Sequence, residues 1–240
     1  MEKRQELYRG KAKTVYATDD SHRLVMHYRD DVSAFDGAKL AKLDGKGETN
    51  NKINAYVMGK LASAGVATHF VRLLNERESL VKAMKMLPVE CVVRNVCAGS
   101  MAKRYGIEEG RRLPEPIFEF FLKSDALHDP LVNDDHIRVL GWADAQEIAA
   151  MKRLTHEVNG VLTPLFAQAG IDLVDYKLEF GHLVEDPQGP IVLGDEFTPD
   201  GCRLWDAKTG DKLDKDRFRR DLGSVIEHYR EVAQRIGAPL

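Results

Sequence analysis

Hydrophobic and polar residues alternate along the first thirty positions in a pattern that predicts strands. Residues 7–18 and 23–29 read as extended runs separated by the polar turn Asp19-Asp20-Ser21, and a small antiparallel sheet is their natural product. A polar segment rich in Gly, Asp and Lys follows over residues 33–51. Beyond it the period changes from two to 3.6. Ile53, Val57, Leu61 and Ala64 fall on one stripe, which predicts a helix ending at Gly65. Residues 68–74 and 89–96 are extended again and flank 79–86. Pro88 interrupts that pattern, so Lys85-Met86-Leu87-Pro88 reads as a connector.

In the second half, residues 100–105 open a short helix and 117–123 form an aromatic strand. Residues 145–169 carry Ile148, Met151, Thr155, Val158, Leu162, Leu165 and Ala169 on one stripe, with Gly170 as terminator. Pro164 inside that stripe should kink the helix or split off its last turn. A final helix, capped by Asp214, is expected to bury Phe218, Leu222, Val225, Tyr229 and Ile236 before Gly237 and Pro239 stop it. The class is therefore α+β in two lobes: a small antiparallel β-rich lobe over residues 1–87 and a larger α+β lobe over residues 88–240.

The stretch from Asp175 to Asp206 concentrates the chemistry. On a strand, Asp175, Lys177 and Glu179 share one face, while Val174, Tyr176, Leu178 and Phe180 share the other. The partner run 191–197 is apolar on both faces until Asp195, which predicts a sheet covered on both sides. Glu179 and Asp195, one on each strand of a hairpin, could then converge on a hard divalent cation, with Lys177 beside them to neutralise a phosphate. The same alternation also describes an ordinary half-exposed strand, so other segments must decide.

In YRGKAKTVY, a bend at Gly10 could lay backbone amides and a lysine against a polyphosphate, with Lys11 and Lys13 on one strand face. A solvated basic edge strand would read the same way. SAFDG and the following Asp44-Gly45-Lys46-Gly47 suit a turn-rich connection. In VVRNVCAGS an apolar strand delivers Arg94, and Gly99-Ser100 open a helix. A charge in such a run needs a partner, either an internal carboxylate or a ligand anion. KSDALHDPLVND offers Lys123 at the mouth of the aromatic strand, and its aspartates suit loop capping better than a metal or triad site at His128-Asp129.

Composition narrows the function classes. A chain of 240 residues, 43% hydrophobic and 30% charged, is that of a soluble globular protein. No apolar run approaches a membrane span and MEKRQELYRG has no signal-peptide stretch, so a cytoplasmic protein without membrane contact is expected. A net charge of -3 gives no basic footprint for nucleic acid. Cys91, Cys97 and Cys202 are too few and too scattered for a disulfide framework.

Taken in order, YRGKAKTVY, SAFDG, VVRNVCAGS, KSDALHDPLVND, DYKLEFG and GDEFTPDGCRLWD resemble the phosphoribosylaminoimidazole-succinocarboxamide synthase (SAICAR synthetase) family, from Tyr8 to the final helix. The resemblance implies a two-lobed fold with a kinase-like nucleotide cleft. It also implies an ATP-dependent ligase that condenses the carboxylate of CAIR (carboxyaminoimidazole ribonucleotide) with L-aspartate. By that resemblance Gly10, Lys11, Ala12, Lys13 and Val15 cradle ATP, with Lys82 and Met86 near the adenine. Glu179 and Asp195 hold Mg2+. Arg94, Ser100 and Arg203 grip the ribonucleotide phosphate, Ser33 and Asp36 lie on the substrate side, and Lys123, Lys177 and Asp200 serve catalysis. A homodimer is implied as well. The same lobes and carboxylates could serve a kinase or a nucleotide sensor, although a protein kinase's His-Arg-Asp and Asp-Phe-Gly segments are missing.

Overall fold

Two antiparallel sheets carry the chain, which a computed structural model describes over residues 2–35 and 37–240. The first is five-stranded, in the order β1 (Lys3–Arg9), β2 (Lys13–Thr18), β3 (Arg23–Tyr28), β7 (Glu78–Lys82), β6 (Phe70–Asn75). Between β3 and β6 lie a two-stranded hairpin, β4 (Asp31–Ala34) and β5 (Lys39–Lys42), and the helix α1 (Lys46–Ser63). The region 7–18 is thus a hairpin rather than one run. Its turn closes through Gly10 N donating to the Lys13 carbonyl at 2.9 Å.

The second sheet runs β10 (Leu131–Val132), β9 (Arg112–Leu122), β8 (Met84–Val96), β11 (Ile171–Leu183), β12 (Val192–Leu193), with β13 (Cys202–Asp206) also paired to β11. Helices α2 (Gly99–Tyr105), α3 (Asp134–Val139), α4 (Ala145–Gln168), α5 (Asp216–Arg219) and α6 (Val225–Ile236) complete the chain. Among the described residues, no helix is long and apolar enough to cross a membrane. The main core joins Ile53, Val57 and Leu61 of α1 to Met151, Val158 and Phe166 of α4, Val89, Cys91 and Val93 of β8, and Tyr176, Leu178 and Phe180 of β11. Each such side chain, fully buried, contributes about 1.5–3 kcal/mol. All three cysteines are buried and free.

Five sequence expectations change. The connector at Lys85 to Pro88 is strand: β8 starts at Met84, the chain leaves the first sheet at Ala83, and the 87/88 boundary falls inside β8. Pro88 is tolerated because the β8–β11 register shifts between Glu179 and Gly181, so no ladder hydrogen bond is asked of its nitrogen. Val174 does not join the face of Tyr176 and Leu178. A register shift against β13 between Leu173 and Asp175 turns it into a separate cluster with Val96, Ala98 and Trp205. The terminal helix is two pieces, broken where Asp221, Gly223 and Ser224 take positive φ, which leaves Leu222 exposed. Asp214 does not cap a helix through an exposed end; it is fully buried and accepts from Leu204 N and Asp216 N. Finally, α4 continues through Pro164 as one element, with Pro164 on its exposed side. There water can serve the carbonyl four residues earlier.

One detail of topology positions the site. β12 and β13 pair with the same edge of β11, with Leu193 opposite Phe180 and Cys202 opposite Tyr176. Residues 194–201 must leave the sheet between them. They leave where Gly194 N donates to the Glu179 carbonyl at 2.9 Å and return where Lys177 N donates to the Gly201 carbonyl at 3.1 Å.

Candidate active site

That excursion brings Asp195 over the charged face of β11. Asp195 does not lie on a hairpin strand opposite Glu179. It sits two residues beyond β12 with φ 51, a left-handed conformation in which a residue with a side chain stores of order 1–3 kcal/mol. Its carboxylate is held by Lys13 of β2, whose Nζ also lies 3.1 Å from Glu196 Oε1. Glu179 is buried and paired with Lys123 at the end of β9. Lys177 Nζ lies 2.6 Å from Glu90 Oε1 and 3.8 Å from Glu179 Oε1. Strand pairing sets Glu90 directly opposite Glu179. Lys13, Lys123 and Lys177 thus interleave with Glu90, Glu179, Asp195 and Glu196 where the two sheets meet.

Burial and the neighbouring charges pull the groups of this cluster in opposite directions. Burial, with the Asp195 charge added to it, pushes Glu179 up to about 7. Burial acts on Asp195 in the same direction but is outweighed by Lys13 and Lys177, which hold it well below the usual carboxylate range. Burial would strip the proton from Lys13, yet Asp195 and Glu196 keep its ammonium raised and charged. Glu196 Oε2 is buried without a hydrogen bond. Two hard carboxylate donors whose charges repel suit Mg2+, which takes one or two protein carboxylates and fills its other positions with phosphate oxygens and water. Among the described residues no group of three or more His, Cys, Asp or Glu is placed to hold a metal ion.

A second cluster occupies the other end of the same strand face. Arg94 is 3% exposed and donates to Glu119 at 2.6 Å, Asp175 at 3.0 Å and Ser100 Oγ at 3.2 Å. Arg203 donates to Asp175 at 2.9 Å and Asp216 at 3.0 Å. Arg104 joins Glu119, and Arg219 joins Asp216 at 2.6 Å. Burial drives Asp175 upward against the pull of Arg203 and Arg94. Gly99, with φ +56, is required here: a Cβ on it would lie 2.4 Å from Arg203 Nη2.

Asp200 forms a third group. Lys46 Nζ lies 2.5 Å from its Oδ2 in an ion contact without hydrogen-bond geometry, Asn50 donates to it at 2.9 Å, and Tyr229 donates to Oδ1 at 2.9 Å. Burial opposes ionisation of Asp200, but the adjacent Lys46 wins and holds it at about 2.

The SAICAR synthetase family model matches residues 6–236. The chain belongs to the SAICAR synthetase family. It is 64% identical over 240 residues, all of both chains, to a phosphoribosylaminoimidazole-succinocarboxamide synthase of Alteromonas mediterranea. The crystal structure of the synthase from Ehrlichia chaffeensis superimposes with a TM-score of 0.96 at 45% identity, covering 98% of this chain and 100% of that one. A SAICAR synthetase solved in complex with ADP gives 0.93, also at 45% identity, covering 98% of each chain.

Within this family member, the structure gathers Lys13, Lys123, Lys177, Glu179 and Asp195 into one cluster and Arg94, Ser100 and Arg203 into the other. Gly10, Lys11 and Ala12 form the β1–β2 turn. Lys11 does not share a face with Lys13, for it reaches Asp125, at the start of a short 3-10 turn after β9, at 2.8 Å. Val15 lies on β2 and Lys82 ends β7. The thioethers of Met84 and Met86 lie against Gly194. Ser33 is buried on β4, and Asp36 lies outside the described residues. Arg94 finds the internal carboxylates that its burial demanded.

Sequence reasoning missed Glu90, Glu196, Lys46 and His69. Glu90 had a legible signal, a lone carboxylate in the apolar run Val89 to Val93. His69 had none. It is buried and donates to the Asp195 carbonyl at 2.8 Å, and burial lowers it to about 4, so it is neutral.

Proposed function

We propose that this chain uses ATP to join the carboxylate of CAIR to the amine of L-aspartate, giving SAICAR, ADP and phosphate. A carboxylate does not acylate an amine in water because its oxygen leaves poorly. Transfer of the γ-phosphoryl group to that carboxylate makes an acyl phosphate, and the aspartate amine displaces the phosphate. No protein nucleophile is needed, so catalysis rests on position and charge.

The arrangement along β11 carries this reading. Asp175, with the two arginines bonded to it, and Glu179, beside the lysines, stand four residues apart on one strand face, about 13 Å at strand rise. That span suits a ribonucleotide gripped by its phosphate at Arg94, Ser100 and Arg203, its carboxylate brought to Lys123 and Lys177. Gly10 to Lys13 and Val15 lie on the nucleotide side, with Lys82 and Met86 toward the adenine. Magnesium held by Glu179 and Asp195 would neutralise charge on the transferring phosphate oxygens. Lys13 and Lys123, released from those carboxylates, are then free to meet phosphate. Asp200, Ser33 and Asp36 fall to the CAIR and aspartate side. Cytoplasmic work as a homodimer, without nucleic acid or membrane partners, belongs to the same proposal.

ADP release measured with each substrate omitted in turn tests the reaction. Sustained release is expected only when ATP, CAIR and L-aspartate are all present. Sustained release with a hydroxyl acceptor and no aspartate would make the chain a kinase instead.

A further inference from the structure

His69 stands outside every motif of the sequence and carries no charge in the cluster, yet it is tied into the site from three directions. The residue is 5% exposed and its Nε2 lies 2.8 Å from the Asp195 carbonyl oxygen. A carbonyl can only accept, so Nε2 carries the hydrogen. Its backbone N donates to the Leu193 carbonyl at 2.8 Å, and its own carbonyl accepts from Lys82 N at 2.7 Å. One residue therefore joins the end of β7, the end of β12 and the peptide that follows Asp195.

That peptide needs holding. Asp195 has φ 51, a region that aspartate tolerates better than most residues but does not prefer. Its N-terminal side is fixed by Gly194 N on the Glu179 carbonyl at 2.9 Å. Farther along, Phe197 N donates to Asn54 Oδ1 at 2.9 Å. The His69 bond fixes the carbonyl between these two anchors. With both sides of the residue clamped, φ cannot relax to negative values, and the carboxylate stays aimed at the face of β11 that carries Glu179.

We propose that His69 is a positioning residue whose Nε2–H holds Asp195 in its left-handed conformation and so sets the affinity for magnesium-bound nucleotide. The inference rests on the reading of Asp195 as a magnesium ligand. It concerns the neutral N–H donor and needs no change of protonation.

Calorimetric titration of the whole enzyme with ADP, in magnesium and again in EDTA, tests it. His69→Leu should lose at least tenfold in affinity for magnesium-ADP, about 1.4 kcal/mol, while ADP in EDTA binds within about twofold of wild type. His69→Gln, whose Nε2 can reach the same carbonyl, should restore most of the loss, and the shorter His69→Asn should not. The Gln and Asn pair carries the test if the Leu variant does not fold. Equal weakening with and without magnesium, or equal behaviour of Gln and Asn, would overturn the positioning role. Asp195→Asn separates the two readings. If it keeps wild-type magnesium dependence, the metal assignment falls and this inference with it. If it loses that dependence while His69→Leu retains it, only the role of His69 is refuted.

Discussion

At Asp175 the charges on β11 are guanidinium forks locked to carboxylates, and at Glu179, four residues along the same face, they are ammonium groups on flexible stems. Arg94 is buried and satisfied by two acids and a hydroxyl. Lys177 is 41% exposed at its side chain and lies near both Glu90 and Glu179. An arginine's planar donors fix geometry, whereas a lysine is a point charge that exchanges partners easily. The arginine end is built to hold a group still. The lysine end is built to change partners when phosphate arrives. The contrast predicts that damage at one end appears as lost stability and at the other as lost turnover.

The largest effect should come from Arg94→Met. Glu119 and Asp175 would remain buried with one partner gone, and breaking a buried pair in this way costs about 3–5 kcal/mol. Urea unfolding measures it; an unchanged midpoint would mean that Arg104 and Arg203 suffice, and the contrast between the two ends would fail. Asp195→Asn is the counterpart at the lysine end. Lys13 keeps Glu196 at 3.1 Å, so the unfolding midpoint should fall less than in Arg94→Met. Turnover should fall by roughly 10²–10³, the usual scale for losing one electrostatic stabiliser of a transition state. Wild-type turnover in that variant would remove Asp195 from the metal site.

Lys11→Ala should act more gently. Its partner Asp125 is exposed, and such surface pairs contribute about 0–1 kcal/mol, so thermal stability should not move. The KM for ATP should rise while kcat changes little. An unchanged KM would take Lys11 out of the nucleotide site.

The sequence was most legible where periodicity alone decides. The stripes of α1 and α4 and the alternation of Tyr176, Leu178 and Phe180 are direct consequences of burial on one face. It was least legible where a register shift breaks the period. Pro88 looked like a terminator because its missing donor normally ends a strand, and only the irregularity opposite Glu179 and Gly181 makes room for it. Val174 changed sides for the same kind of reason. In the candidate site, Glu179 stood out on the charged face it shares with Asp175 and Lys177, and Asp195 stood out as the acid that ends an apolar run, whereas Lys46 hid in a Gly-rich stretch that resembles any turn. His69 acts through a backbone carbonyl, which no pattern of side chains can announce.

A last prediction lies behind the arginine end and tests how far its burial reaches. Asp214 is fully buried, and burial, with the neighbouring Asp216 charge added, raises its carboxyl to about 7 despite the Leu204 and Asp216 amides that it accepts at 2.8 and 2.7 Å. An unfolded aspartate gives up its proton near 3.8. Between those values the folded chain keeps a proton that the unfolded chain has lost, so stability from this group is fully present below about 3.8 and is lost as pH rises through about 7. Asp214→Asn cannot ionise. Its amide NH2 cannot accept, so it should lose one of the two backbone hydrogen bonds at every pH, yet flatten this part of the stability profile. Urea midpoints taken from pH 5 to 8 decide it: a wild-type slope that survives in Asp214→Asn would assign the titration to another group and leave Asp214 as a charged acceptor for the loop that supports Arg203.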